Sequence, residues 1–386
     1  MVFIKLTPAI LLAFLAGANA KDIFVSPTGT GSGTLASPYG SIQSAIDAAK
    51  AGDIIYLRQG TYAPSKNIQV KTSGAKGSPI VVKPYQNEKA VGESLPNAER
   101  GVFHIQNAEW WSFYNLEIIN GPYGIYARDA SNNYYEGLST HDNYETGFQL
   151  EGASSNNLVI NLDSYRNRDP RKNGESADGF ACKEGKGEGN VLRNARLWDN
   201  VDDGLDLYMF GSAVTLDEVY AWGNGFNRWD FSSFEGDGNG FKLGITNNPP
   251  ANHIVKNCMA FQNAQKGFID NGNPGSLTFD RNTAWKNGNL GFHLRSSSSK
   301  VTKNVASNNT GKQVDLNSKV SASGNSWDSS DTWNDAAFKS TDASTLKGAR
   351  GSDGRVKASD FLVPASGAAI GATTKAKVQK LRRFAY

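Results

Sequence analysis

Residues 199–208 read DNVDDGLDLY. Leu205 and Leu207 flank Asp206 in the alternation of a half-buried strand, while Asp199, Asp202, Asp203 and Asp206 crowd like charge into the same few positions. Such a strand is either solvated or holds something cationic. What lies above and below it decides between the two, and a repeat supplies that context. The GLDL at Gly204 aligns with GFQL at Gly147, GFAC at Gly179, GFKL at Gly240, GFID at Gly267 and GFHL at Gly291, with GIYA at Gly124 as a weaker forerunner. The glycines lie 23, 32, 25, 36, 27 and 24 residues apart, so two units carry insertions, near 168–178 and near 225–239.

A second column supports the first. Asn143, Asn200, Asn263 and Asn287 each stand four residues before a repeat glycine, Asn167 and Asn224 take the same role ahead of the two insertions, and Asn309 closes the series. Two residues before these asparagines come His141, Tyr165, Trp198, Trp222, Phe261 and Trp285. Helical solenoids need about 34 residues or more per repeat. These units are shorter and rich in glycine, asparagine and aromatic or β-branched residues, which suits strands joined by tight turns. One unit cannot bury its own apolar face, so units stack. The expected fold is all-β: a right-handed parallel β-helix, a solenoid whose coils rise by about 4.8 Å. Asparagines repeating at one turn can hydrogen-bond along the stack, so that column is read as structural.

The ends of the chain fit this scheme. In SIQSAIDAAKAGD, Ser41 reads as an N-cap, Ile42, Ala45, Ile46 and Ala49 as one apolar face, and Gly52 as a stop. The helix so defined would cap the open end of the solenoid, with IIYLRQGTYAP and IVVKPY as the first strands. Residues 1–20 combine Lys5, an apolar run and an Ala18-Asn19-Ala20 cleavage pattern, the signature of a secretory signal peptide. The expected organisation is therefore a signal at 1–20, a β-helix domain over 21–365 and a flexible basic tail over 366–386, in a secreted, extracellular monomer.

No other segment reaches membrane-spanning length, so no membrane partner is expected. Forty basic against 37 acidic side chains, less Lys5 of the signal, leave 39 − 37 = +2. Without a dense basic stripe, nucleic-acid binding is set aside. Cys182 falls in the inward column of Leu150, Leu207, Leu243 and Leu294, and Cys258 lies coils away, roughly 12 Å by the strand spacing. That is beyond the ~7 Å reach of a disulfide, so two buried free thiols are expected. Asn308-Asn309-Thr310 is one glycosylation sequon, overlapping the turn column.

The columns give the aspartates a geometry. Asp178 and Asp203 each precede a repeat glycine on successive coils, with Asp202 alongside and Asp206 two residues past Gly204. Four carboxylates then converge on one patch, where they cannot all ionise without compensation. Hard oxygen donors of this kind suit Ca²⁺, and no cysteine or histidine joins them to suggest zinc. Asp203 and Asp206 differ by three positions, which strict alternation would send to opposite faces; Gly204 has to bend the chain for both to serve one ion. On the next coil Lys242 occupies the column of Asp206. It reads equally as a surface lysine paired with Asp206 or as a general base acting beside the metal. In the second case a metal-bound uronate carboxylate acidifies the C5 proton, the neutral lysine removes it, and the oxygen at C4 leaves.

The segments ADGFACKEGKGEGNVLRNARLWDNVDDGLDLY and GDGNGFKLG resemble polysaccharide lyase family 9, the pectate lyase family built on a parallel β-helix. The resemblance covers most of the chain after the signal and is strongest from Asp178 to Gly244. It implies a calcium ion held by the aspartate of the D-G-F segment, here Asp178, and by three of D-D-G-x-D, here Asp202, Asp203 and Asp206. It implies as base the lysine of N-G-F-K-L-G, here Lys242, and as substrate an acidic polysaccharide, pectate or another uronan such as rhamnogalacturonan I. The insertion NRWDFSSFE, 227–235, matches no family pattern and is expected to border the cleft. Arg228, Trp229 and Phe231 of this insertion are candidate sugar contacts, although a packed loop anchor is the commoner role for such aromatics; His293 and Arg295, further along the stack, are candidate substrate contacts that read equally well as surface residues. Two other readings remain: a pectin hydrolase, which lacks its G-H-G and R-x-K segments near the cluster, and a non-catalytic carbohydrate-binding β-helix with calcium as a staple.

Overall fold

The computed structural model describes residues 20–86, 88–93 and 101–375. Each full coil makes three short strands in a fixed order. Around the DNVDDGLDLY stretch these are Leu205–Asp206, then Val214–Asp217, then Tyr220–Trp222, after which the chain returns to Phe241–Lys242 one level up. Stacking the coils yields three parallel sheets, called I, II and III in that order, with 10, 12 and 10 strands among the described residues. The β-helix expected from the repeat is thus present, and residues 1–19 of the expected signal, 1–20, lie outside the described residues.

The two sequence columns have distinct physical causes. The repeat glycines lead the strands of sheet I, where Ile125, Phe148, Phe180, Leu205, Phe241, Phe268 and Phe292 are successive register partners. A Cβ on Gly179 would lie 2.7 Å from the carbonyl oxygen of Gly204, one on Gly204 2.7 Å from that of Gly240, and one on Gly240 2.8 Å from that of Gly267. Each coil's backbone therefore fills the space a side chain would need, and neither special dihedrals nor flexibility are involved. The residue after each glycine points inward, so Phe241, Phe268 and Phe292 stack with centroids 4.6 and 4.8 Å apart.

The asparagines form a buried ladder at the turn from sheet III to sheet I. Nδ2 of Asn167, Asn200, Asn224, Asn263 and Asn287 donates to Oδ1 of the next asparagine at 2.8–3.0 Å. The residue before each one, for instance Asp142, Arg166, Asp199 or Gly223, adopts positive φ, which produces the sharp bend. A buried turn needs partners for its amide groups, and the ladder supplies them without water. Two further asparagine series are present: Asn133 and Asn157 before strands of sheet II, continued by Asn190 at the start of one, and Asn282 and Asn304 before strands of sheet III, continued by Asn325.

The capping helix spans Ile42–Ala48, and the Ser41 side chain accepts from the Ser44 amide as expected. Its apolar face, Ile42, Ala45 and Ile46, joins the core with Ile23, Val25, Ile55 and Leu57. The helix stops at Ala48, ahead of Gly52, because Ala49 is already extended; Gly52 with φ of 93° instead makes the following turn. The first strand is Asp22–Val25, before the helix, and it pairs with Ile54–Leu57. Both cysteines are buried and free.

The C-terminal segment departs from expectation. From Asn334 the chain folds back over the outer face of sheet III, laying Phe338, Leu346, Val356, Phe361, Leu362 and Ala372 against Tyr220, Trp222, Met259, Phe261 and Trp285. Asp163 anchors it, clasped by Arg196 and Arg350 at 2.6 Å each. The boundary at 366 falls inside this packed strap. Ala372 N donates to Thr283 Oγ1, and Thr373 and Asn257 exchange hydrogen bonds, so residues 366–374 are not a free tail; 376–386 lie outside the described residues. The outer aromatics of sheet III are paired with this aperiodic strap, which no repeat could reveal. Among the described residues no helix is long and apolar enough to cross a membrane.

Candidate active site

Sheet I carries the site on its outer face. Register places Tyr126, Gln149, Ala181, Asp206, Lys242, Ile269, His293 and Asp315 in one column across successive coils. Leu205, Leu207, Phe241 and Leu243 point the other way and are fully buried, so Asp206 and Lys242 have to face outward.

Three carboxylates meet here. Oxygens of Asp178, Asp203 and Asp206 lie within 4.8 Å of one another, and a second group, Asp202, Asp203 and Asp237, shares Asp203 with the first. Asp203 and Asp206 reach the same patch although three positions separate them, because Asp203 sits in the turn before the strand, where alternation does not apply. Asp199, the other acid of the opening stretch, is separated from them: it takes positive φ at the bend and accepts from Arg228 at 2.9 Å.

The four clustered aspartates are fixed by neighbours. Thr146 Oγ1 donates to Asp178 Oδ2 at 3.3 Å and accepts from the Asp178 amide. Asp202 Oδ1 accepts from the Asp237 amide at 2.6 Å. Asp203 Oδ1 accepts from the amide and side chain of Asn239 at 2.6 and 2.9 Å. Asp206 Oδ1 accepts from the Tyr208 amide at 2.9 Å. Asp203 Oδ2 is buried and accepts no hydrogen bond. A buried carboxylate oxygen that accepts no hydrogen bond and meets the Lys242 ammonium only at 3.4 Å, beside two others, can serve as a cation ligand. The donor set, hard oxygens from loops and strand, fits Ca²⁺.

Two lysines face the acids. Lys242 Nζ lies 2.7 Å from Asp237, 3.4 Å from Asp203 and 3.6 Å from Asp206. Lys183 Nζ bridges Asp178 and Asp206 at 2.7 and 2.9 Å. With every group charged, the five aspartates (178, 202, 203, 206 and 237) and two lysines (183 and 242) sum to −5 + 2 = −3. Burial raises the Asp178 carboxyl to about 6 despite Lys183, and the Asp203 carboxyl to about 7 despite Lys242. Asp202 is raised as well, by burial and by its acidic neighbours. Burial alone would lower both lysines, yet the carboxylates around them overcome it and hold both ammonium groups charged. The patch is short of positive charge, so its aspartates attract a further cation.

The structure thus brings together Asp178, Asp202, Asp203, Asp206 and Lys242. Lys183 and Asp237 join them without having been singled out. Lys183 was legible: inward Phe180 and Cys182 send Ala181 and Lys183 outward, and Ala181 is the register partner of Asp206. Asp237 sits in the 225–239 insertion, where no periodicity speaks. The remaining candidates lie apart. His293 is two coils beyond Lys242 in the same column, half-buried, with Nε2 3.6 Å from Asp315. Arg295 is exposed and pairs with Asp315 at 3.1 Å. Arg228 does not converge on the cluster. Its loop folds back along the bend, so that the guanidinium pairs with Asp199 and lines a depression with Trp198, Trp222, Phe226 and Lys347 beside sheet III.

Comparison with known proteins agrees with this geometry. The family profile for the Pel9A-like right-handed β-helix region matches residues 23–312. The chain is 53% identical to pectate lyase PEL9 of Emericella nidulans over 407 aligned residues, covering 97% of each. It is 35% identical to pectate lyase L of Dickeya dadantii over 93% of this chain and 88% of that one. The crystal structure of pectate lyase Pel9A superposes with a TM-score of 0.80 at 32% identity, covering 94% of this chain and 93% of that one. A rhamnogalacturonan lyase superposes with a TM-score of 0.80 at 26% identity, covering 90% and 97%. The chain belongs to the Pel9A-like right-handed β-helix family, polysaccharide lyase family 9.

Proposed function

We propose that this protein is a secreted, Ca²⁺-dependent pectate lyase that cleaves polygalacturonan by β-elimination, acting as a monomer. Asp178, Asp202, Asp203 and Asp206 hold the calcium ion, and Lys242 is the base. The observation that carries the reading is the position of Lys242: it faces outward in register with Asp206, with Nζ 3.4 Å from Asp203 and 3.6 Å from Asp206. A lysine so placed can meet a sugar lying along the outer face of sheet I while the aspartates hold an ion at its side.

When bound, calcium supplies positive charge to a uronate carboxylate and so acidifies the proton at C5. Lys242 takes that proton on Nζ; the C5–H electron pair becomes the C4–C5 double bond, and the C4–O bond breaks with its oxygen leaving as a hydroxyl after protonation. Lys242 has to be neutral to act, whereas the carboxylates keep it protonated. Engaging those carboxylates elsewhere is what frees the lysine for proton transfer. The relatives named as pectate lyases support the substrate class, and the secretory pattern of residues 1–20 agrees with an extracellular polymer.

A second reading changes only the polymer. The rhamnogalacturonan lyase that superposes over 90% of the chain makes a rhamnogalacturonan backbone the alternative substrate. The test is the ultraviolet absorbance of the C4–C5 unsaturated product, followed on polygalacturonate and on rhamnogalacturonan, with calcium and with chelator, for wild type and Lys242→Ala. Calcium-dependent absorbance on polygalacturonate that vanishes in the variant is expected. Signal on rhamnogalacturonan alone changes the substrate, and full activity of the variant removes Lys242 from its role.

A further inference from the structure

Of the two lysines in the cluster, Lys183 is the one that the elimination leaves without a task. It stands on the strand Phe180–Gly185, outward like Ala181, and its side chain is only 14% exposed. Its ammonium does not run to solvent as a long cationic side chain normally does. It turns into the acidic patch and bridges two aspartates from adjacent coils, Asp178 at 2.7 Å and Asp206 at 2.9 Å. Both belong to the group of three carboxylates whose oxygens lie within 4.8 Å of one another. Lys242 lies on the far side of Asp206 and makes its shortest contact, 2.7 Å, with Asp237. The two lysines therefore divide the patch, and Lys183 covers the Asp178–Asp206 half.

We propose that Lys183 is the resident counter-cation of the metal site: it holds the Asp178 and Asp206 carboxylates in place when no ion is present, and by competing with the ion it sets the calcium affinity. The inference rests on the assignment of Asp178 and Asp206 as calcium ligands. Its physical basis is the charge balance. Buried carboxylates on stacked coils repel one another, and a fixed ammonium between two of them removes most of that cost. An incoming divalent ion then meets a positive charge already in contact with two of its ligands, which weakens binding. Such an arrangement keeps the site folded without metal and lets the ion exchange, whereas an uncompensated cluster would bind calcium tightly and be strained without it.

The test uses the full-length secreted protein and two measurements that do not depend on turnover: calcium affinity by titration calorimetry and thermal midpoint in excess chelator. Lys183→Met keeps the aliphatic stem and removes the charge. It is expected to bind calcium about tenfold more tightly or better, and to melt roughly 3–6 °C lower in chelator, with the deficit shrinking when calcium is added. Lys183→Arg, which retains the charge, is expected to stay near wild type in both. Unchanged or weaker calcium binding by a folded Lys183→Met overturns the proposal, as does a rise in KM for the polysaccharide with calcium affinity unaltered, which would make Lys183 a substrate contact. If Lys183→Met does not fold, Lys183→Gln and the arginine variant carry the comparison. Wild type that binds no calcium defeats the metal assignment itself, a result distinct from wild type that binds and a variant that binds no better.

Discussion

Asp206 and Lys242 are direct register partners on adjacent coils of sheet I, and their charged ends lie 3.6 Å apart. The pairing follows from the fold. The Leu205 amide donates to the Gly240 carbonyl at 3.1 Å and the Leu207 amide to the Lys242 carbonyl at 2.9 Å, so the two coils cannot slide. A proposed metal ligand and a proposed base are held one coil apart by backbone geometry alone, about 4.8 Å along the stack. The consequence is a lysine whose charge depends on what the aspartates are doing.

Lys242→Ala separates a base from an ion-pair partner. As the base, Lys242 is worth about 10²–10⁴ in kcat, with KM little changed and calcium affinity kept or raised, because an ammonium beside Asp203 and Asp206 has been removed. As an ion-pair partner only, its loss lowers the melting temperature and leaves kcat within severalfold. Steady-state kinetics together with a melting curve on the same preparation distinguish the two.

Asp203 is the carboxylate shared by both acidic groups, and its Oδ2 accepts no hydrogen bond. Asp203→Asn retains an Oδ1 that can accept from the Asn239 amide and side chain, so the fold should tolerate it. Calcium affinity is expected to fall at least about tenfold, since affinity follows the charge count of the ligands. In the absence of calcium the variant should be as stable as wild type or more so, because one buried negative charge is gone. A variant that binds calcium like wild type would remove Asp203 from the ligand set.

Gly204→Ala tests the origin of the glycine column. The new methyl would lie 2.7 Å from the Gly240 carbonyl oxygen, 2.8 Å from the Ala221 Cβ and 2.9 Å from Asn224 Nδ2. Two of these three are backbone or a short rigid side chain, and the third belongs to the ladder, so none can retreat cheaply. The expected cost is about 1–3 kcal/mol, visible as a lower denaturation midpoint. Gly324→Ala is a fitting control for crowding, because a Cβ there meets nothing within 4 Å, although its φ of 65° adds a local strain of its own.

The glycine and asparagine columns made the solenoid legible because each encodes a contact that recurs every coil. The site was legible for the same reason: Asp178, Asp203, Asp206 and Lys242 stand at fixed offsets from repeat glycines. What escaped lacks that periodicity. Asp237 and Arg228 belong to one insertion, and nothing in the sequence says that its end reaches Lys242 while its beginning turns back to Asp199. The strap carrying Phe361 and Ala372 packs against sheet III through single contacts that do not repeat. Lys183 is the exception, since alternation past Cys182 put it on the outer face, where the aspartates had drawn attention to themselves alone.

His253 gives a pH dependence remote from the acidic site. It precedes a strand of sheet II, and the Val214 amide donates to its Nδ1 at 3.1 Å. That hydrogen bond requires Nδ1 to be an acceptor, so the ring is neutral with its proton on Nε2. The residue is wholly buried, and burial lowers its pKa from the ordinary 6.5 to about 3. The unfolded chain therefore binds a proton that the folded chain refuses. The stability this contributes is fully present above pH ~6.5 and is lost as pH falls toward ~3, amounting to on the order of 3 kcal/mol by pH 4. Asparagine holds the equivalent turn positions at Asn157 and Asn190, where Asn190 Oδ1 accepts from the Asn157 amide at 3.1 Å. His253→Asn can accept from Val214 in the same way and has no group that titrates. The variant is expected to match wild type near pH 7 and to lose less of its denaturation midpoint between pH 7 and pH 4. Equal losses in the two proteins would mean that the buried ring opens to solvent before the fold does.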